Sequence, residues 1–321
     1  MPVSLLLSLL LLVLWPWSSP DLARASLRVV TTVAPLTDLV RHVGGEVIQL
    51  HGLVPKGVNS HTFQPTPRDV QYLAEADLII LNGLYLEIPT EKLARSSGKT
   101  GVTIMKLGDS TISKAEWVFD FSFPKAQGHP NPHLWLNVAY AMTYTTLIRD
   151  QLLALDPHNK AVYEQNAARL LARLTQLDQC VATAMATIPA RQRKLLTYHD
   201  SWPYFARRYG MTILGAVQPA NFSEPSPREV TRIINQLRQE KVPAIFGSEV
   251  FPSKVLEKIA AETGVRYVTT LRDDALPGQP GEAKHNYIGM MLENVNTMVE
   301  ALGGQPETLV PCTSTLLSEA K

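Results

Sequence analysis

Charge of one sign is what this sequence most plainly lacks: 30 Lys and Arg stand against 29 Asp and Glu, a formal net charge of +1. A chain so balanced has no overall field to draw it to nucleic acid or to acidic lipid, so any ligand must be held by a local site. Cysteine is nearly absent. The 2 present, Cys180 and Cys312, leave no thiol near the N-terminus for lipid attachment. In an oxidising compartment the pair could bond or stay as buried free thiols, and both readings are open. Long apolar runs are missing too: the one at Leu5–Trp15, broken by a single serine, is too short to span a bilayer. Nucleotide binding is excluded by a missing glycine. Ser97–Thr100 reads SGKT, but the position five residues before Gly98 is Leu93, so no phosphate-binding loop is complete.

What is present begins with an export signal. The apolar run is followed by a polar stretch and Ala23-Arg24-Ala25, an A-x-A cleavage pattern, with cleavage expected after Ala25. The segment has no basic n-region, which keeps an uncleaved anchor as the minor alternative. Cleavage removes Asp21 and Arg24, one charge of each sign, so the mature chain keeps its balance and is expected to be soluble, not membrane-embedded. At 321 residues and 45% hydrophobic composition the chain is long enough for two ordinary domains.

Strand and helix patterns then alternate. Leu27–Thr32, Glu46–Val54 and Asp77–Asn82 read as strands, the last apolar enough to be covered on both faces. Helices are expected at Pro35–Val43, from Pro67, and at Asn137–Leu155. His158–Ile188 has neither Gly nor Pro, and Tyr163, Ala167, Leu170, Leu174, Leu177, Val181 and Met185 recur at steps of three and four. Its 31 residues would form a rod of about 46 Å. Packed along one stripe, such a rod links two lobes; a coiled-coil dimer is the competing reading. Alternation resumes with strands at Lys194–Tyr198, Thr212–Val217, Pro243–Gly247 and Arg266–Thr270. Helices at Ser201–Tyr209, Pro227–Gln239, Ser253–Thr263 and Tyr287–Leu302 lie between and after them. The expected fold class is α/β: two lobes, each a mainly parallel sheet flanked by helices, joined by one long backbone helix. The boundaries are a signal peptide at 1–25, an N-terminal lobe at 26–157, the linking helix at 158–188 and a C-terminal lobe at 189–321.

In open α/β sheets ligands gather at the carboxyl ends of the strands. Four loops at such ends or at helix starts hold candidate ligands: His61, His133, His199 and the pair Asp273-Asp274. Imidazoles with a carboxylate suit Zn2+, and Mn2+ or Fe2+ as carboxylate content rises. No local HExxH spacing ties them together, so unrelated surface or capping residues remain the alternative.

The segments SHTFQPTPRDV, NPHLWLN, TYHDSWPYFARRYG, QPANFSEPSPREV and LRDDALPG followed by NYIGMMLENV carry a resemblance. In order, they resemble the signatures of the metal-binding substrate-binding proteins of bacterial zinc and manganese ABC transporters. The resemblance implies two α/β lobes bridged by a rigid helix, with the metal in the cleft between them. It implies a periplasmic, monomeric, non-enzymatic protein that hands its ion to an ABC permease and, through it, to an ATPase. Residue by residue it implies His61, His133, His199 and Asp274 as ligands, the last because DAL matches the family's D-S-L pattern, with Asp273 as neighbour. His129 is read as a solvated loop residue, and His42, His158 and His285 as structural residues on helices. Glu249 is read as an acceptor that orients a ligand histidine. The His-rich loop of many zinc members is missing, yet the third ligand is His199 where many manganese members have glutamate. Three nitrogens and one carboxylate make a softer site, which favours zinc over manganese or iron. Because histidine binds metal only when neutral, affinity is expected to fall as pH drops through the imidazole range. The rival from another class is a metal-dependent hydrolase with Glu249 or Asp273 as general base. A surface adhesin on the same fold is a third reading, disfavoured by the missing lipid-anchor cysteine.

Overall fold

The computed structural model describes residues 26–250 and 254–318; the expected signal peptide and its cleavage site lie outside them. Short apolar runs become strands and the amphipathic stretches between them become helices. The first half runs β1 (Leu27–Thr31), α1 (Ala34–Gly44), β2 (Ile48–Gly52), α2 (Pro67–Glu75), β3 (Leu78–Leu81), α3 (Ile88–Ser97), β4 (Thr103–Lys106), α4 (Leu107–Thr111) and α5 (Val138–Leu155). Then come α6 (Lys160–Ala186), β5 (Lys194–Thr197), α7 (Pro203–Tyr209), β6 (Thr212–Ala216), α8 (Pro227–Glu240), β7 (Ala244–Ser248), α9 (Lys254–Thr263), β8 (Arg266–Leu271), α10 (Tyr287–Ala301) and α11 (Val310–Ser318). Local chemistry fixes the starts. Pro67 and Pro227 open α2 and α8 behind capping boxes, Thr66 with Asp69 and Ser226 with Glu229.

Each half forms a four-stranded, all-parallel sheet, ordered β2-β1-β3-β4 in one and β6-β5-β7-β8 in the other. The two orders are the same when counted from each half's first strand, so one topology occurs twice. All strand ends of a parallel sheet point one way, which gathers the following loops into one crevice per lobe. The loops that follow β2 and β5 are those that carry His61 and His199.

The long helix is shorter at both ends than its sequence suggests. Pro157–Asn159 forms a 3-10 turn, and α6 itself spans 27 residues, about 40 Å. The expected stripe is buried throughout, joined by Cys180 and Ala184. It is covered by α1, α5 and α10 of its own chain, so the stripe is not left open for a coiled-coil partner. One apolar cluster extends from Val29 and Leu36 through Leu174 and Met185 to Leu195, Phe205, Phe246 and Val295. The core is therefore continuous across both halves. Smaller clusters line the outer sheet faces, around Ile79 in one half and Ile245 in the other. Cys180 of α6 and Cys312 of α11 are bonded, with Cα atoms 6.3 Å apart.

Candidate metal centre

His61 sits in the loop after β2, which Pro65 and Pro67 keep from regular structure; the Asn59 side chain accepts its backbone N–H at 2.9 Å. His133 precedes the short 3-10 turn that leads to α5, and His199 lies two positions past the end of β5. Their rings are aimed by two amides. Asn131 Oδ1 accepts both the backbone N–H of His133, at 3.1 Å, and its Nδ1–H, at 2.8 Å. Gln218 Oε1 accepts from His199 Nδ1 at 2.6 Å. Neither amide can be turned around. Asn131 Nδ2 donates to the Asp200 carbonyl at 2.6 Å and to the Asp120 carboxylate at 3.1 Å, and Gln218 Nε2 faces the Phe222 carbonyl at 3.5 Å. An oxygen opposite Nδ1 requires the proton there, so in His133 and His199 it is Nε2 that carries the lone pair.

Those lone pairs converge. The His61 Nε2 lies 3.2 Å from both His133 Nε2 and His199 Nε2, which are 3.1 Å apart. A tetrahedral ion with bonds of about 2.0–2.1 Å needs donors about 3.3–3.4 Å apart, so the triangle is one face of such a site with little adjustment. The lone pairs of His133 and His199 face one another across this triangle, and a cation above its plane turns their repulsion into attraction. Among the described residues, these three histidines are the group whose donor atoms all lie within 4.8 Å of one another.

The aspartates stand beside the triangle without joining it. Asp273 Oδ2 is 3.6 Å from His199 Nε2, and Asp274 Oδ2 accepts the Ser60 N–H at 3.3 Å. Among the described residues, Asp273 Oδ1 and Oδ2 and Asp274 Oδ1 are buried with no hydrogen-bond partner, an arrangement that a cation would relieve. Glu249 holds their loop: its Oε1 accepts the backbone N–H groups of Asp273, Asp274 and Ala275 at 3.0, 3.0 and 2.9 Å. It orients a loop, where the sequence suggested a histidine. Trp135 Nε1 donates to the Asp273 carbonyl at 2.7 Å, tying the second lobe's loop to the first. Asn131 and Gln218 had no assigned role in the sequence, although both lie within the motif segments; an amide acceptor has no spacing rule to reveal it.

The remaining histidines are elsewhere. His129 is exposed and stacks on Tyr85 at 4.3 Å. His42 donates to the Asp38 carbonyl within α1, and His158 lies in the 3-10 turn before α6. His285 lies in the loop ahead of α10, not on a helix, and its Nδ1 donates to the Pro277 carbonyl.

Burial sets the protonation. It holds His61 and His133 well below 6.5, helped by the neighbouring imidazoles, and so neutral. Burial and mutual repulsion push the carboxylates the other way: Glu249 to about 8, Asp273 to about 7 and Asp274 to about 6. With His61 and His133 already neutral, the pH dependence expected of those two imidazoles passes to the carboxylates. A metal that draws a carboxylate's charge releases its proton, so affinity should fall as pH drops from about 7.5 to 6, with a slope that steepens toward pH 6 as Asp273 and Asp274 take up protons and stays well below three. Chelator-competition titrations at four pH values in that range read the slope directly; a slope near three would restore the imidazoles as the titrating groups.

Three converging imidazoles, two of them buried and fixed in tautomer by amides, shared by two lobes on one stiff helix, define a class: the metal-binding substrate-binding proteins of ABC transporters. Known proteins agree. Residues 29–301 match the family described as zinc-uptake complex component A, periplasmic, and the chain belongs to that family. The manganese ABC transporter substrate-binding lipoprotein PsaA of Streptococcus pneumoniae is 29% identical over 276 residues, 86% of this chain and 89% of the relative. The iron-binding protein YfeA of Yersinia pestis is 28% identical over 287 residues, 89% of each. The solved structure of the periplasmic zinc-binding protein TroA from Treponema pallidum superposes with a TM-score of 0.78 at 28% identity, covering 86% of this chain and 99% of that one. The family match, residues 29–301, spans the linking helix and both sheets.

Proposed function

We propose that this protein captures a divalent transition metal ion, zinc in preference to manganese or iron, in the periplasm and delivers it as a monomer to an ABC permease and its ATPase. The observation that carries the proposal is the triangle of Nε2 atoms, with His133 and His199 held in the metal-binding tautomer by Asn131 and Gln218 before any ion arrives. His61, His133, His199 and Asp274 are the proposed ligands. The first two come from the segment 26–157 and the last two from 189–321, with 158–188 as the strut between them. The relatives' named metals differ, so kinship does not choose the ion; ligand softness does, and three imidazoles with one carboxylate favour zinc.

The hydrolase reading loses Glu249 as a general base in this geometry. The Glu249 Oε1 that would take a proton from water already accepts three backbone N–H groups.

Metal-stripped protein titrated with Zn2+ is expected to bind one ion per chain. At a free concentration about 100 times the dissociation constant, unfolding should cost about 2.7 kcal/mol more than in the stripped form. Differential scanning fluorimetry with Zn2+ and Mn2+ in parallel tests this, and absence of any shift with either ion would sink the proposal. Displacement of bound Zn2+ by equimolar Mn2+ would sink the preference for zinc alone.

A further inference from the structure

The three imidazoles are not equally enclosed. His133 and His199 are 0% and 3% exposed, whereas His61 is only partly buried, on a loop that few backbone hydrogen bonds hold. A cavity of about 180 Å³ opens in front of it, lined among others by Leu84, Phe123, Pro132 and Phe222. Phe222, from the second lobe, lines that cavity together with His61. Its ring stacks on His61 with centroids 4.6 Å apart and planes at 17°, and meets Phe123 edge-on at 6.0 Å.

The backbone under this ring is strained. Phe222 has φ +57°, the left-handed region that a bulky residue occupies only when its surroundings impose it. Its N–H donates to the Pro219 carbonyl at 2.9 Å, and its own carbonyl faces the Gln218 amide that aims His199. One short loop therefore touches a ligand candidate from each lobe. The lobes themselves have no comparable freedom. Their shared apolar cluster, from Val29 through Leu174 to Phe205 and Phe246, would have to be torn open for them to part.

We propose that the metal ion enters and leaves through this cavity with Phe222 as the gate over His61, by a local swing of the two loops and not by separation of the lobes. The proposal rests on the reading of the three histidines as the cargo site.

Stopped-flow transfer of Zn2+ from the mature chain to excess chelator, with uptake followed in the reverse experiment, tests it. Phe222→Ala should raise both release and uptake rates by about tenfold while the dissociation constant stays within about threefold, because the gate affects the barrier in both directions. Phe222→Leu, which keeps apolar cover without the stack, should fall between. Unchanged rates in Phe222→Ala overturn the proposal. So does faster release with unchanged uptake, which would make Phe222 a wall of the bound state only. Hydrogen exchange gives a second readout: Zn2+ should protect amides of residues 55–62 and 218–225, and protection spreading through α6 and α7 would signal lobe movement and overturn the local gate. Zinc stoichiometry measured on the same samples separates failure of the gate from failure of the cargo site.

Discussion

His199→Ala is expected to weaken zinc binding by about a thousandfold. A structural zinc site is worth about 10–16 kcal/mol over four ligands, so one ligand carries about 3–4 kcal/mol, or two to three orders of magnitude. The cost should sit near the upper end here, because the ring is buried and pre-aimed by Gln218 at 2.6 Å, leaving no freedom for a neighbour to move in. Gln218→Ala removes the aim and keeps the ligand, and should cost about 10–100-fold. The contrast between the two is the informative quantity. If both substitutions cost the same, the loop has collapsed and the ligand has not been tested. If His199→Ala keeps affinity within about tenfold of the parent, His199 is not a ligand. His199→Glu exchanges a nitrogen for carboxylate oxygens and should move the zinc-to-manganese affinity ratio toward manganese. Chelator competition on metal-stripped samples, with circular dichroism to confirm folding, measures all three.

Much of this arrangement is legible in the sequence, and the reason differs from part to part. Strands with nearly unbroken apolar runs, such as Leu78–Leu81 and Ala244–Ser248, announce themselves because both faces are covered. The seven-residue stripe of α6 is legible because a helix that packs on three others must repeat its apolar residues every turn. Thr103–Lys106 is not, since it is short and only half-buried, and α11 is marked by no apolar stripe. Histidines at strand ends can be suspected one by one, but their convergence cannot, because it depends on loops 66 to 138 residues apart meeting across the cleft. The family resemblance supplied what spacing could not. The amides that fix two of the tautomers, and the raised protonation of the carboxylates, depend on burial, which only the folded chain reveals.

The Cys180–Cys312 bond was equally hidden, and its removal should have the largest effect on stability. It closes a loop of 132 residues that contains the whole second sheet, β5 to β8. Loop-closure entropy for that length amounts to about 5 kcal/mol, and native bonds of this kind commonly deliver 2–5 kcal/mol. A second tie spans the same two helices: Arg173 of α6 donates to the Leu316 carbonyl at 2.6 Å, and Leu316 itself is fully buried. The C-terminal helix should therefore stay docked when the bond is absent, and the loss should fall mainly on the unfolded state. Cys180→Ser with Cys312→Ser is expected to lower the free energy of unfolding by about 3–5 kcal/mol, and the midpoint by roughly 10 °C, in the metal-free form. Zinc affinity should stay within about threefold, because α11 contributes none of the residues around the triangle. The stabilisation that zinc adds should then be the same in parent and variant, since distant effects add. Thermal unfolding of both proteins with and without Zn2+ closes that cycle. Equal midpoints for the two metal-free proteins would mean that the bond stabilises neither half, whereas a smaller zinc increment in the variant would mean that the C-terminal helix supports the site after all.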